Sequence, residues 1–371
     1  MKRFCFAFTR AQEQEDAYNE VSQQLSKIKA CPKLIIFTTT SDYFWFFSTN
    51  LKKQFNDATI IGSSSSENFS SLGFADTGAS VMAIYSGIDV SSGILFEIHR
   101  HPRNYMVHLK RAMSHFESFE NTCCLEFMNS FSKAEELVLD TFSYEFEKKN
   151  IPVFGSSAGT TDVTKPTLVS LDGIVYQDSC VFVLIKNLNG KIHTYKENIF
   201  KKMGITIVPT DVDCDERIIY ELDDKPAADT LCDVLNVSLD ELPEVLKSHP
   251  VARVLPDDLL ITELGEVHKD GSIFCYSQVY NHTKLEILEF DDIHAKWNKT
   301  QKDLKGFHKK DSFMIAVNCA SRAQQLKQRG LYEDFYKTLT QISSNFLGVS
   351  GFGEQLNTVN LNESMLYLIF E

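Results

Sequence analysis

The chain has 371 residues, 43% of them hydrophobic and 23% charged, with 28 phenylalanines. That length exceeds one ordinary core and predicts two or three domains of globular type. A formal net charge of −13 repels phosphate backbones and excludes nucleic-acid binding as the main role.

Nine scattered cysteines, none in a C-x-x-C pair, give no zinc ribbon or thioredoxin-like motif and suit a reducing cytoplasm. No apolar run reaches the roughly 20 residues that a membrane-spanning helix needs. The opening MKRFCFAF is too short for the apolar core of a signal peptide.

In chain order, residues 4–8 predict a strand and 11–29 an amphipathic helix, with Ala17, Val21, Leu25 and Ile28 at helical spacing. A buried strand at 34–37 runs into Thr38, Thr39 and Thr40, which offer N-caps to a helix at 43–55. A strand at 59–62 ends in the serine turn Ser63 to Ser66. A loop at 73–78, strands at 80–85 and 93–99, and a helix at 105–119 follow.

A second pass starts at Cys123, with a strand to Met128, the polar end Asn129-Ser130 and a helix over 133–149. A strand at 152–155, a turn at 156–162, a hairpin or bulge at Asp172-Gly173 and a strand at 180–185 complete it. Asn189-Gly190 predicts another hairpin. A boundary at 201–204 divides the chain into 1–203 and 204–371.

Beyond the boundary come strands at 205–208 and 217–221, helices at 227–236 and 239–248, and a hairpin over Asp270-Gly271. A strand at 284–290 and a helix at 294–305 follow. The third pass starts at Ser312, with a strand at 313–317, the polar end Asn318-Cys319 and two helices. It closes with NFLGVSGFGEQ and a strand at 365–370.

One strand–helix–strand–strand unit thus occurs three times, predicting an α/β fold with mixed sheets in two parts. The crossover makes the first two strands of each unit parallel. Ligands lie off the carboxyl ends of such strands. There Thr38–Thr40 face Ser63–Ser66, Asn129-Ser130 face Ser156-Ser157, and Asn318-Cys319 face residues 350–355.

GSSSSEN at Gly62 lacks the lysine of a phosphate loop and is either an anion nest or, more simply, a capped turn. GVSGF at Gly348 has Phe352 where a nucleophile elbow needs glycine. The acidic group Asp211, Asp213, Asp215 and Glu216 lacks the glycine and distal glutamate of a calcium loop. Cys319 at a strand end is either a nucleophile or, since no histidine stands at a diagnostic spacing, a buried structural thiol.

Asn318, Arg322, Glu354, Gln355 and Asn362 hold what an amino-acid pocket needs. Arginine pairs a carboxylate in bidentate fashion, Glu354 receives an amino group, and the amides donate and accept. An internal Arg322–Glu354 ion pair with no ligand is the equal alternative.

The segments GFGEQ and VNLNESMLYLIFE, AVNCASR at Ala316, YELDDKPAAD at Tyr220 and DGSIFCYSQV at Asp270 resemble the FIST domain, a sensory module of signal-transduction proteins. IIGSSSSENF and VFGSSAGTTD resemble its N-terminal part. The resemblance implies a FIST N-terminal domain over 1–203 and a C-terminal domain over 204–371, with no catalytic residue, cofactor or metal. It implies a small ligand, such as an amino acid, held by Asn318, Cys319, Arg322, Ser350, Gly353, Glu354, Gln355 and Asn362. The signal then passes to a separate kinase, chemoreceptor or cyclic-dinucleotide enzyme. The rival readings are a hydrolase or transferase using Cys319 or a turn serine, and an interaction scaffold.

Overall fold

Three modules surround one apolar centre in the computed structural model, which describes residues 3–256, 258–307, 309 and 311–371. The first module orders its strands Phe4–Thr9, Ala79–Ile84, Leu34–Thr39, Thr59–Ser64. The second repeats that order with Ile88–Phe96, Ser179–Asn187, Thr122–Met128 and Val153–Ser157. The third does so with Ile192–Asn198, Ser364–Phe370, Phe313–Cys319 and Phe346–Gly351. In each, the third and fourth strands of the list are parallel and the others antiparallel. The fold is therefore mixed α/β, as the repeated passes predict.

Each sheet is finished by a hairpin from another module. Asn68–Ser70 and Gly73–Ala75 of the first module join the sheet of the third, with Gly348 opposite Phe69. Glu354–Leu356 and Val359–Leu361 of the third join the second, with Gln355 opposite Gly155. Val169–Leu171 and Ile174–Tyr176 of the second join the first, with Ser170 opposite Gly62. The donations close a cycle.

Gly62, Gly155 and Gly348 occupy the same place in their modules. A Cβ would lie 2.0 Å from the Phe69 ring at Gly348, 2.2 Å from the Phe37 ring at Gly62 and 2.0 Å from the Glu126 carboxylate at Gly155, so no side chain fits at any of the three.

Strand alternation divides the core. Leu34, Ile36, Leu125, Phe127, Ile315 and Val317 point to the shared centre. Ile35 and Phe37 point the other way, to the helices Gln14–Leu25 and Ser41–Gln54. Cys124 and Met128 meet Glu135–Phe146, and Met314 and Ala316 meet Ile293–Leu304, Ala320–Gln328 and Tyr332–Ile342. Burial on both faces accounts for the unbroken apolar runs of the central strands.

Residues 199–291 interrupt the third module between its first strand and its first helix. They form a four-stranded sheet of Phe200–Ile207, Leu285–Phe290, Val251–Leu255 and Asp258–Thr262. A second sheet, of five strands, carries the hairpin Leu264–Val267 and Ile273–Cys275. The third module thus starts at Ile192, well before Ser312. Residues 201–204 lie inside the strand Phe200–Ile207, at its bulge.

Asn189-Gly190 makes no hairpin. Ser179–Asn187 and Ile192–Asn198 lie in different sheets, because pairing with Ile88–Phe96 and Thr122–Met128 takes both edges of the first. The predicted loop at 73–78 contains a strand, Gly73–Ala75. Among the described residues, no helix is long and apolar enough to cross a membrane.

Candidate functional site

The three glycine and serine turns meet at the carboxyl ends of the parallel strands. There the N–H of Ser66 donates to the Ser350 carbonyl at 3.0 Å, that of Phe352 to Ser157 at 3.0 Å, and that of Gly159 to Ser64 at 2.9 Å. Ser64, Ser157 and Ser350 are equivalent, as are Ser66, Gly159 and Phe352, so the three bonds form a ring linking the modules. The Ser64 hydroxyl donates to the Gly159 carbonyl, and the Ser66 and Ser350 hydroxyls lie 2.8 Å apart. The serine turns are thus occupied in joining modules, and the backbone N–H groups of Ser64, Ser65 and Ser66 that an anion nest would use donate to carbonyls instead.

Beside this ring opens a cavity of about 740 Å3. Ser66 and Glu67 of the first module line it, with Phe131, Lys133 and Glu135 of the second. The third contributes Cys319, Ser321, Lys327 and Phe352. The insertion closes the far side with Arg217, Glu263, Phe274 and Tyr276. All three modules and the insertion therefore share one cleft, off the strand ends where α/β sheets place ligands.

Phe131 holds a φ of 69°, unusual for a bulky side chain. That backbone carries its ring to within 5.5 Å of the Phe352 ring. Opposite, the Phe274 and Tyr276 rings lie 5.2 Å apart. The two pairs give the cleft apolar walls.

Every cation of the lining has a carboxylate partner. Lys133 pairs with Glu216 at 2.5 Å, and Lys327 with Glu67 at 2.9 Å and Asp76 at 2.6 Å. Arg217 pairs with both Glu135 and Glu136 at 2.5 Å. Glu263 has no such cation among the described residues. Its Oε1 accepts from the Ser321 hydroxyl at 2.9 Å, and burial pushes its carboxyl up to about 7.

The residues expected to hold a ligand divide into two groups. Cys319 lines the cleft, at the start of the helix Ala320–Gln328. Arg322 is fully buried behind the wall. It donates to Glu197 at 2.6 Å and to Asn318 at 2.7 Å, and its guanidinium lies 4.9 Å from the centre of the Phe335 ring. The ion pair is internal, as the ligand-free alternative has it, but the partner is Glu197 and not Glu354.

Ser350 and Gly353 serve the module joints: the Gly353 carbonyl accepts from the Ser157 N–H at 3.0 Å. Gln355 donates to Asn360 at 2.8 Å and to Ser157 at 3.1 Å. Asn362 ties down the insertion. Its N–H donates to the Ile261 carbonyl at 3.1 Å, and its side-chain oxygen accepts from the Glu263 N–H at 3.2 Å. It thereby fixes the backbone of Glu263, whose carboxylate lacks a cation among the described residues.

Glu354 accepts from the Ser364 N–H at 3.1 Å through one oxygen. Its other oxygen, and both oxygens of Glu363, are buried without a hydrogen bond. Burial pushes both carboxyls well above the usual range, and mutual repulsion with Glu263 adds to it. The Cys319 thiol is likewise held well above its ordinary value by burial, then by Glu354, Glu363 and Glu263. A nucleophilic thiol needs the opposite environment. Among the described residues, no three His, Cys, Asp or Glu side chains are grouped to hold a metal ion.

Sequence reasoning missed Glu263, Phe131, Phe274 and Tyr276 as lining residues. The segment DGSIFCYSQV carries two of them, and its resemblance to the family was the available signal.

Comparison with known proteins gives two family matches, to the FIST N domain over residues 33–225 and to the FIST C domain over residues 227–357. No curated protein matches the chain.

Proposed function

Since the chain belongs to the FIST family, whose domains are sensory modules of signal transduction, we propose that it senses a small ligand in the cleft between its three modules and its insertion. The observation that carries this reading is the cavity of about 740 Å3 to which all four parts contribute. Pockets of a few hundred Å3 with apolar walls and few polar groups are the usual seats of small ligands.

The ligand carries an amino group, as an amino acid does, and Glu263 at the cleft surface receives it. Cys319 and Ser321 meet the ligand directly. Asn318, Arg322, Ser350, Gly353, Glu354, Gln355 and Asn362 act from behind, by fixing the wall. The module performs no catalysis. Binding draws the insertion, held at Asn362, toward the modules, and a separate signalling protein in the cytoplasm reads the change. A kinase, a chemoreceptor or a cyclic-dinucleotide enzyme is the class of partner.

The test is thermal denaturation with amino acids, amines and small organic acids. A ligand that binds only the folded state raises the melting temperature with concentration. At least one amine-bearing compound should do so, and Tyr276→Ala should remove the effect. No shift with any compound, or a shift indifferent to Tyr276→Ala, overturns the reading.

A further inference from the structure

The cleft is not neutral. Its cations are Lys133, Arg217 and Lys327, and the carboxylates paired with them are Glu216, Glu135, Glu136, Glu67 and Asp76. Glu263 adds a sixth carboxylate, with no cation of its own among the described residues. Of these, Glu67, Asp76, Glu135 and Glu263 line the cleft, four carboxylates against three cations. Behind Cys319 lie Glu354 and Glu363, buried, with three oxygens that make no hydrogen bond.

A ligand carboxylate finds no unpaired side-chain cation here among the described residues. Arg322, the cation suited to that role, is engaged by Glu197 at 2.6 Å on the far side of the wall. A ligand ammonium finds the opposite situation. Glu263 stands ready, held from behind by Asn362 and from the side by Ser321. The aromatic faces of Phe274, Tyr276, Phe131 and Phe352 suit an alkyl or aryl body and attract a cation.

We propose that the cleft takes an organic cation of net positive charge, its ammonium on the Glu263 carboxylate and its hydrocarbon body against these four rings. The inference rests on the cleft being the ligand site and narrows the ligand from zwitterionic amino acids to amines without a free carboxylate. An unpaired carboxylate in a partly desolvated site is costly, and the arriving cation supplies the missing partner.

The experiment is isothermal titration of the whole chain with four probes of one shape: phenethylamine, phenylalanine, 2-phenylethanol and phenylacetate. Phenethylamine should bind at least tenfold more tightly than phenylalanine, and phenylacetate should not bind. Glu263→Gln should weaken phenethylamine at least tenfold and leave 2-phenylethanol within twofold. Glu263→Asp, which keeps the charge, should recover part of the loss. Binding at neutral pH should also release protons, read as a heat that varies with the buffer, because the Glu263 carboxyl sits near 7 when empty.

Tighter binding of phenylalanine or phenylacetate overturns the inference, as does Glu263→Gln binding phenethylamine within twofold of wild type. Failure of all four probes also overturns it. If the wider amino-acid and organic-acid panel fails as well, the cleft reading falls with it, whereas a hit there leaves the cleft reading standing alone.

Discussion

Arg322 and Glu197 meet at 2.6 Å with both side chains shut off from water. The pair joins the helix Ala320–Gln328 to the strand Ile192–Asn198, which the insertion separates in sequence. The Tyr367 hydroxyl donates to the second Glu197 oxygen at 3.3 Å.

Arg322→Ala should therefore act on stability first. Removing one partner of a buried pair strands the other charge and costs about 3–5 kcal/mol. Denaturant titration should show that loss without ligand. Arg322→Lys should not restore it, because one ammonium cannot reproduce the planar fork that serves Glu197 and Asn318 together. Wild-type stability in Arg322→Ala would show that the pair contributes nothing.

Gly348→Ala should loosen a hairpin more than a hundred residues away in sequence. Its Cβ would meet the Phe69 ring at 2.0 Å, and Phe69 is fully buried in the donated hairpin. Overpacking of this kind costs about 1–3 kcal/mol. Hydrogen exchange should show faster opening at residues 68–75 than elsewhere. Unchanged protection there would mean that the ring moves aside freely.

Glu126 should make stability depend on pH. It is fully buried, and among the described residues only the Cys180 thiol donates to it, at 3.4 Å. Burial pushes its carboxyl up to about 8 from an ordinary 4.5. A raised acid favours the folded state below its unfolded value, so its contribution is full at about pH 4.5 and is lost as pH rises through 8. Glu263, Glu354 and Glu363 shift the same way, so the quantity to measure is wild type against Glu126→Gln. The variant should lose less stability between pH 5 and 9, and parallel curves would contradict the assignment.

The modules were legible because Gly62, Gly155 and Gly348 and the serines beside them recur, and the turns they form are local. The facing of Thr38 with Ser63 and of Asn318 with Ser350 followed from the parallel crossover, and the register has both pairs. The hairpin at Asp172-Gly173 was legible as a turn, but its destination was not. Its strand Val169–Leu171 pairs with residues 61–63, about a hundred residues upstream, and nothing in an alternating pattern addresses a strand to a distant sheet.

The site was harder for the same reason. Arg322 and Glu354 stand near strand ends, where ligands bind, yet Glu197 and the turn at Ser364 cover them. Glu263 lies between two strands of the insertion, in a stretch that reads as an ordinary edge.

The cycle of donated hairpins bears on how the chain is made. The second module cannot complete its sheet until residues 354–361 exist, although its own strands end at Asn187. During synthesis it must wait, with Val153–Ser157 as an open edge, until residues 354–361 have been made. Such distant pairings are slow to form, and open edges invite aggregation. A chain lacking residues 354–361 would be left with that edge unfilled. The cleft, in turn, exists only when the circle has closed, so any ligand it holds is a seal on a finished molecule.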